Sequence, residues 1–174
     1  MGPEASLKIY ETLLTHTFQI THQLSYEKFV FYATTIAEND LWSYPGFVKK
    51  LQSGESLGKR MEQAFEEVFQ LGYTAVQIIG SDCPELTPEI IDAGFTALET
   101  KDTVIGPTSD GGYYLLGLRH QTSSIFQNKE WSTASVFADT LQDLKKLFKT
   151  YEILPELSDI DTEQDWIAYQ QKKF

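Results

Sequence analysis

Short apolar segments rich in β-branched residues alternate with longer amphipathic segments along most of this chain. Strands that alternate with helices in this way are typical of a mostly parallel sheet with helices on both faces. We therefore predict an α/β fold with three layers. The predicted strands are residues 27–34, 74–79, 102–108, 113–119 and 150–154, and the predicted helices are residues 4–23, 57–72, 88–99, 133–149 and 162–173.

The domain organisation follows from the length and from the absence of breaks in the pattern. The chain has 174 residues and contains no repeat, low-complexity stretch or linker that would divide it, so we expect one domain over residues 1–174. Residues 37–56 carry Pro45, Gly46 and Gly54 and are predicted to form a loop. Open nucleotide-binding sheets usually begin with a strand and a phosphate loop, whereas this chain opens on a helix and contains no GxGxxG motif.

The charge of the chain limits the ligands that it can bind. Lysine and arginine number 14 and aspartate and glutamate number 25, which gives a formal net charge of −11. A field of this sign argues against a nucleic-acid partner, because binding to a phosphate backbone requires basic surface. A phosphorylated small molecule would need a local cation, either a metal ion or a few lysine and arginine side chains.

The location of the protein is predicted from what the sequence lacks. Cys83 is the one cysteine, so no disulfide can form within the chain, which fits a reducing compartment. No apolar run approaches the ~20 residues that span a bilayer, and the first residues lack the apolar region of a signal peptide. We therefore expect a cytoplasmic protein without a membrane span.

A carboxylate follows the most apolar of the predicted strands. Gly80, Ser81 and Asp82 come directly after this strand, and ligands of open α/β sheets bind outside the carboxyl ends of strands. Gly80 would allow a ligand to approach the backbone, and the Asp82 oxygens suit a divalent cation. The alternative is that Ser81 and Asp82 only stabilise the turn through side-chain hydrogen bonds.

A second carboxylate lies in the turn Asp110-Gly111-Gly112. The simplest interpretation of this turn is a hairpin, since Asp-Gly is a strong hairpin signal. The two glycines also permit close approach of a ligand, and Asp110 follows a predicted strand end, as Asp82 does. We expect the two aspartates to lie close together and to belong to one site.

Two further motifs lie nearer the carboxyl terminus. Asp159 and Asp161 are two residues apart and would point the same way in an extended segment, although Asp161 or Thr162 could also serve only as a helix cap. Trp131 lies in a loop, and Ser132 or Thr133 would cap the next helix. Trp131 could plug the sheet or stack on a sugar or base, and both interpretations remain open.

Four segments together resemble a bacterial family of GT-A-like glycosyltransferases that was long described only as a domain of unknown function. These segments are IIGSDCPELTPEII, VIGPTSDGGYYLLGL, NKEWST and LSDIDTEQDW. Some members of the family are assigned to arsenosugar biosynthesis. The sequence is similar, more distantly, to nucleotidyltransferases such as the molybdenum cofactor guanylyltransferases. The resemblance implies a Rossmann-like sheet of the nucleotide-diphospho-sugar transferase (GT-A) type.

The resemblance also implies roles for particular residues. Asp82 matches the aspartate that binds Mg²⁺ or Mn²⁺ on the donor diphosphate, and Asp161 matches a second metal-side position. Asp110 is the first candidate for a base toward an acceptor hydroxyl, so the catalytic candidates are Asp82 and Asp110. The substrate-binding candidates are Gly80, Ser81, Gly111, Gly112, Trp131, Ser132 and Thr133, although no firm role is implied for the last three.

One departure from the family pattern concerns the start of the chain. The resemblance implies a strand and a loop with glycine, lysine and arginine before the first helix, and this sequence begins after them. We therefore expect weak or absent donor binding by this chain. We also expect an unpaired strand edge that could support a homodimer.

The function that these features favour is metal-dependent transfer of a sugar from a nucleotide-sugar donor to an unknown acceptor. A nucleotidyltransferase that makes an activated compound is the second possibility. A catalytically inactive remnant that serves as a binding module is the third. Release of pyrophosphate from a nucleoside triphosphate would distinguish the second possibility from the first.

Overall fold

The computed structural model describes residues 2–172, which form five α-helices and six strands. Met1, Lys173 and Phe174, which the predicted domain or closing helix includes, lie outside the described residues. None of the described helices is long and apolar enough to cross a membrane. The elements are α1 (Pro3–His22), β1 (Lys28–Tyr32), β2 (Phe47–Leu51), α2 (Leu57–Gln70), β3 (Val76–Ile79), α3 (Pro88–Leu98), β4 (Thr103–Pro107), β5 (Tyr113–Leu118), α4 (Val136–Lys146), β6 (Tyr151–Ile153) and α5 (Glu163–Lys172).

The central sheet has four strands in the order β3-β5-β4-β6. β5 is antiparallel to both β3 and β4, whereas β4 and β6 are parallel. It follows that β3, β4 and β6 all run in the same direction and that their carboxyl ends meet at one edge of the sheet. The predicted α/β fold is confirmed, and β5 is antiparallel because the Asp110-Gly111-Gly112 turn folds it back on β4 as a hairpin.

Helices cover both faces of this sheet. On one face, Ile20 of α1 and Ile91 and Leu98 of α3 pack with the strand residues Val104 and Leu115. On the other face, α2 and α4 pack on the side chains that point the opposite way, and these include Phe65, Leu144, Ile105, Leu116 and Leu118. Alternation of side chains along β4 and β5 therefore separates two apolar cores, as the three-layer prediction requires.

Several predicted helix starts are confirmed by their capping interactions. The Ser56 hydroxyl accepts a hydrogen bond from the backbone of Lys59 at the start of α2. Thr87 does the same for α3, where Pro88 occupies the first helical position. At α5, the Thr162 N–H donates to Asp165 Oδ2 at 2.7 Å and the Asp165 N–H donates to Thr162 Oγ1 at 3.3 Å. This reciprocal pair is the capping arrangement that the sequence indicated.

The prediction of a loop over residues 37–56 was wrong, because it contains β2. β2 pairs in parallel with β1, with Phe29 opposite Val48 and Phe31 opposite Lys50. The two lysines of β2 and the nearby Pro45, Gly46 and Gly54 concealed the strand. Lys50 forms an ion pair with Glu67 on α2, so its charge is neutralised while its stem covers the sheet.

β1 and β2 form a separate two-stranded sheet. Phe29 and Phe31 of β1 nevertheless pack against the same core as Val76 and Ile78 of β3. Within residues 2–172, no strand pairs with the second edge of β1 or of β3. This arrangement agrees with the unpaired strand edge that the sequence predicted, whereas the homodimer remains a prediction.

Candidate active site

The first component of the site is the segment that follows β3. The Gly80 N–H donates to the Tyr114 carbonyl at 2.9 Å, which keeps Gly80 in register with β5. A Cβ atom on Gly80 would lie 2.5 Å from Asp82 Oδ1. Glycine at this position therefore makes room for the carboxylate of Asp82 itself. Close approach of a ligand to Gly80 and Ser81 remains a prediction.

A second segment, residues 154–161, crosses the edge of the sheet between the ends of β3 and β4. The Ile160 N–H donates to the carbonyl of Asp82 at 2.9 Å, and the Ser109 N–H donates to the carbonyl of Leu157 at 3.1 Å. The Ser158 N–H donates to Glu85 Oε2 at 2.8 Å. These bonds carry Asp159 and Asp161 to the carboxyl ends of both strands.

The third component is the turn between β4 and β5. Asp110 Oδ1 accepts hydrogen bonds from the Thr108 hydroxyl and, at 2.9 Å, from the Gly112 N–H. Gly111 has φ +94° and donates its N–H to the Thr108 carbonyl at 3.1 Å. The Gly111 carbonyl accepts from the Phe137 N–H of α4 at 2.9 Å. Asp110 is thus held by its own turn, and the turn is held by α4.

These three components form a carboxylate cluster, which we define as Asp110, Asp159 and Asp161. Each offers an oxygen, and the three oxygens lie within 4.8 Å of one another. Asp82 lies beside the cluster, since it lines one groove together with Asp161. Burial and then the negative charges of Asp161 and Asp110 raise the pKa of Asp82. The sequence predicted that Asp82 and Asp110 would share a site, and the structure places both at the same edge of the sheet.

Burial and mutual repulsion disfavour the charged forms of the carboxylates at this site. Burial and, to a smaller extent, the negative charges of Asp110, Asp161 and Asp82 together raise the pKa of Asp159 to about 6. Burial is also the main reason that the pKa of Asp82 is raised. Groups in this situation gain from a bound proton or a bound cation, because either one removes charge repulsion.

We expect Asp159→Asn to stabilise the protein at pH 7.5 in the absence of divalent cations. The folded-state pKa of Asp159 is about 6 and the ordinary value is 3.8, so the folded state binds this proton more tightly than the unfolded chain does. This contribution to stability is present below pH 3.8 and is lost as the pH rises through about 6. After allowance for partial solvent exposure, the variant should gain about 1 kcal/mol in free energy of unfolding, which raises the melting temperature by roughly 2–4 °C.

Thermal unfolding between pH 4 and pH 7.5 measures this effect. As the pH rises across this window, the melting temperature of the wild type should fall by more than that of the variant. The exposed Glu156 lies in the same segment, so Glu156→Gln provides a matched control and should behave as the wild type. Equal pH profiles for wild type and Asp159→Asn would contradict the raised pKa.

Two concave regions meet at Asp161. The acidic cavity, of about 140 Å³, is lined by Glu85, Asp110, Asp159, Asp161, Asp165 and Lys172, among others. The α1 groove, of about 330 Å³, is lined by Ile9, Tyr10, Leu13, Ser81, Asp82 and Asp161, among others. Lys172 already forms an ion pair with Glu85 at 3.0 Å, so the acidic cavity keeps a strongly negative character.

The structure places Trp131 mainly in a packing role. A Cβ atom on Gly58 would lie 2.1 Å from Trp131 Nε1, so the ring rests directly on the first turn of α2. The ring also stacks on Phe126 and meets Tyr113 edge-on. This arrangement agrees with an aromatic plug. Ser132 and Thr133 are exposed and precede Ala134, which contacts Gly111. The substrate-binding roles of Trp131, Ser132 and Thr133 remain predictions.

Cys83 occupies a structural position. Its side chain is buried and burial raises the pKa of the thiol to about 12. Its Sγ donates to the carbonyl of Ser158 at 3.6 Å. A protonated, buried thiol is a packing group.

Asp159 is the residue of the cluster that the sequence analysis did not assign to the site. The family resemblance implied a metal on Asp82 and Asp161, and the spacing indicated only that Asp159 and Asp161 point the same way. The structure adds Asp159 because Ile160 between them bonds to Asp82 and so directs both neighbours to the edge of the sheet. The i, i+2 spacing pairs Asp159 with Asp161, but it does not indicate where the pair points.

Comparison with known proteins identifies both the fold and the family of this chain. The crystal structure of a "putative nucleotide-diphospho-sugar transferase" from Desulfovibrio desulfuricans G20 superimposes with a TM-score of 0.91. It shares 28% sequence identity and is matched over 99% of this chain and 78% of that chain. The fold is therefore that of a nucleotide-diphospho-sugar transferase. The chain belongs to the bacterial family described as "Uncharacterized protein conserved in bacteria (DUF2064)", whose model matches residues 16–133. The family inferred from the four motifs is confirmed.

More distant structures share the fold alone. CMP:2-keto-3-deoxy-manno-octonic acid synthetase in complex with CTP gives a TM-score of 0.59 at 10% identity, over 93% of this chain and 88% of that chain. The structure of 4-diphosphocytidyl-2C-methyl-D-erythritol synthase gives a TM-score of 0.61 at 10% identity, over 91% of this chain and 89% of that chain. A search of curated proteins found no significant match.

Proposed function

We propose that this protein is a metal-dependent glycosyltransferase that transfers a sugar from a nucleotide-sugar donor to an acceptor. The observation that carries the proposal is the carboxylate cluster, whose three oxygens lie within 4.8 Å of one another at the carboxyl ends of the strands. This is the edge at which ligands of open α/β sheets bind. The likeness to the Desulfovibrio structure, at 28% identity, supports a nucleotide sugar as the donor.

The donor atoms of the cluster fit Mg²⁺ or Mn²⁺. All three are carboxylate oxygens, the ligand type that hard divalent cations prefer. The three oxygens lie within 4.8 Å of one another, so modest side-chain movements would bring all of them within bonding distance of one small cation. Asp159 and Asp161 would hold the ion together with Asp110, and Asp82 would add negative charge beside it.

The residues of the site have separable tasks. A bound divalent cation would offset the negative charge of a nucleoside diphosphate as it leaves the sugar. Asp110 takes both of its hydrogen bonds on Oδ1, so Oδ2 can either contact the cation or accept a proton from an acceptor hydroxyl. Thr108 and Gly112 fix the orientation of this carboxylate for either task.

The two concave regions suggest where the substrates bind. The α1 groove is the larger, and it combines the apolar wall of Ile9, Tyr10 and Leu13 with Asp82 and Asp161, which suits a sugar or base next to a diphosphate. The acidic cavity, which shares Asp161 with the groove, would take the acceptor.

Product analysis tests the proposal. The protein would be incubated with Mn²⁺ and a panel of nucleotide sugars, and separately with nucleoside triphosphates and sugar phosphates. Sugar transfer predicts release of a nucleoside diphosphate from one donor, and Asp161→Asn should abolish it. Release of pyrophosphate would instead identify a nucleotidyltransferase. Metal-dependent binding without any product would indicate a binding module.

Asp110→Asn then separates its two tasks. If Asp110 is the base, the variant should bind Mn²⁺ as the wild type does and lose turnover by about 100-fold or more. If Asp110 is a metal ligand, both Mn²⁺ affinity and turnover should fall. Calorimetric titration of Mn²⁺ alongside the product assay distinguishes these results, and unchanged turnover would remove Asp110 from the mechanism.

A further inference from the structure

Lys129 is a buried cation that the proposed mechanism does not use. Its side chain is 1% exposed, and its Nζ donates to the hydroxyl of Thr140 and lies 3.4 Å from Asp143 Oδ2. The same Nζ lies 5.8 Å from the ring centroid of Trp131. Lysine is almost never fully buried unless it is paired, and the cost of burial requires contacts of this kind. These contacts of Lys129 therefore anchor a loop to α4.

The loop that Lys129 anchors has a costly backbone conformation. We define it as the 128–134 loop. Asn128 has φ 52° and Ser132 has φ 62°, both in the left-handed region that non-glycine residues rarely adopt. Such conformations persist only when surrounding contacts enforce them. Lys129 and Trp131, which rests on Gly58 of α2, are the two side chains that fix the loop against α4 and α2.

The far end of this loop contacts the turn that carries Asp110. A Cβ atom on Gly111 would lie 2.1 Å from the carbonyl oxygen of Ala134, so the two backbones are in direct contact. The Phe137 N–H donates to the Gly111 carbonyl at 2.9 Å, and Phe137 and Thr140 belong to the same helix. A displacement of the loop relative to α4 would therefore be transmitted to Gly111 and then to Asp110.

We propose that Lys129 is a positioning residue of the carboxylate site: it fixes the 128–134 loop to α4 and so holds the Asp110-Gly111-Gly112 turn in place. This inference rests on the proposed function for its consequence in catalysis, whereas the positioning itself can be measured independently. Burial lowers the pKa of Lys129 and the charge of Asp143 opposes that shift, so the anchor depends on the ion pair. Removal of the amine would leave Asp143 and Thr140 without this partner.

Hydrogen exchange at individual amides tests the positioning. The reporters are the Phe137 N–H, which bonds to Gly111, and the Gly112 N–H, which bonds to Asp110, and the reference is the Ile91 N–H in α3. In Lys129→Met we expect exchange at both reporters to accelerate about tenfold while exchange at Ile91 stays unchanged. Lys145 is an exposed lysine on α4, so Lys145→Met is the matched control and should leave all three amides unaffected.

A second variant keeps the test decisive if Lys129→Met does not fold. Asp143 pairs with Lys129 at 3.4 Å, so Asp143→Asn removes the charge of this pair with almost no change in volume, and we expect it to accelerate exchange at the same two reporters. Unchanged exchange at both reporters in a folded variant would overturn the inference. An equal acceleration at Ile91 would overturn it too, because it would show a general loss of stability.

Mn²⁺ titration links the anchor to the site. We expect Lys129→Met to weaken Mn²⁺ binding about three- to tenfold, since Asp110 would be less well placed, and Lys145→Met to have no effect. If Lys129→Met accelerates exchange but leaves both Mn²⁺ affinity and turnover unchanged, the role of Lys129 at the carboxylate site is overturned. If the wild type binds no Mn²⁺, the proposed function fails, and the exchange comparison alone decides whether Lys129 positions the turn.

Discussion

Replacing Asp161 with asparagine is expected to weaken Mn²⁺ binding by at least about 100-fold. Asp161 belongs to the carboxylate cluster and borders both the acidic cavity and the α1 groove, so it contributes to the metal site and to both proposed substrate regions. The amide keeps the size of the side chain and removes its charge. Because Asp161 is exposed, the fold should survive the substitution.

Calorimetric titration with Mn²⁺ measures this effect, and circular dichroism verifies the fold. Asp92→Asn is the matched control, because Asp92 is an exposed aspartate on α3 outside the cluster. The control should bind Mn²⁺ as the wild type does. Equal Mn²⁺ affinity in Asp161→Asn and wild type would remove the carboxylate cluster from the metal site.

The second large effect is expected for Gly111→Ala. Alanine at φ +94° costs about 1–2 kcal/mol in backbone strain. The added Cβ would also lie 2.1 Å from the carbonyl oxygen of Ala134, a backbone atom that cannot move without displacing the start of α4. We expect a total destabilisation of more than about 3 kcal/mol, with loss of Mn²⁺ binding at the displaced turn.

Gly72→Ala separates the two causes. Gly72 has φ +95°, nearly the same as Gly111, and among the described residues no atom outside its two chain neighbours lies within 4 Å of its Cβ position. This variant should show the backbone strain alone, about 1–2 kcal/mol, and bind Mn²⁺ normally. Chemical denaturation of both variants gives the comparison. If Gly111→Ala costs no more than Gly72→Ala, the contact between the turn and Ala134 does not constrain the site.

The sequence predicted the main elements of the fold where periodicity and capping residues agree. β3 is a short apolar run, and α3 begins at Thr87-Pro88, so both were identified from local chemistry alone. β2 was missed because two of its five residues are lysines whose charge is neutralised by distant partners, Asp40 and Glu67. Long-range ion pairs of this kind leave no periodic signal in the sequence.

The candidate site was predicted in outline. Asp82, Asp110 and Asp161 were selected because each lies beyond a strand end or matches a family motif, and the structure brings all three to one edge of the sheet. The membership of Asp159 depends on the hydrogen bond from Ile160 to Asp82, which joins residues far apart in the chain. Such a tertiary contact determines the direction of two side chains and cannot be derived from spacing.

The role of the NKEWST segment also required the structure. The sequence left Trp131 between a plug and a stacking residue, because an aromatic residue in a loop suits both. The contact with Gly58 and the buried ammonium of Lys129 favour the plug and connect this segment to the Asp110 turn through Ala134. Glycines whose missing Cβ is filled by another residue are recognisable only once the fold is known.

The metal site is tested most directly by calorimetric titration of Mn²⁺ into the wild type and into a variant with Asp110, Asp159 and Asp161 all replaced by asparagine. We predict saturable binding of one ion per chain by the wild type and no binding by the folded variant. We also predict that binding of a nucleoside diphosphate requires Mn²⁺. No saturable binding at millimolar Mn²⁺, or equal binding by both proteins, would contradict a metal-dependent site at the carboxylate cluster.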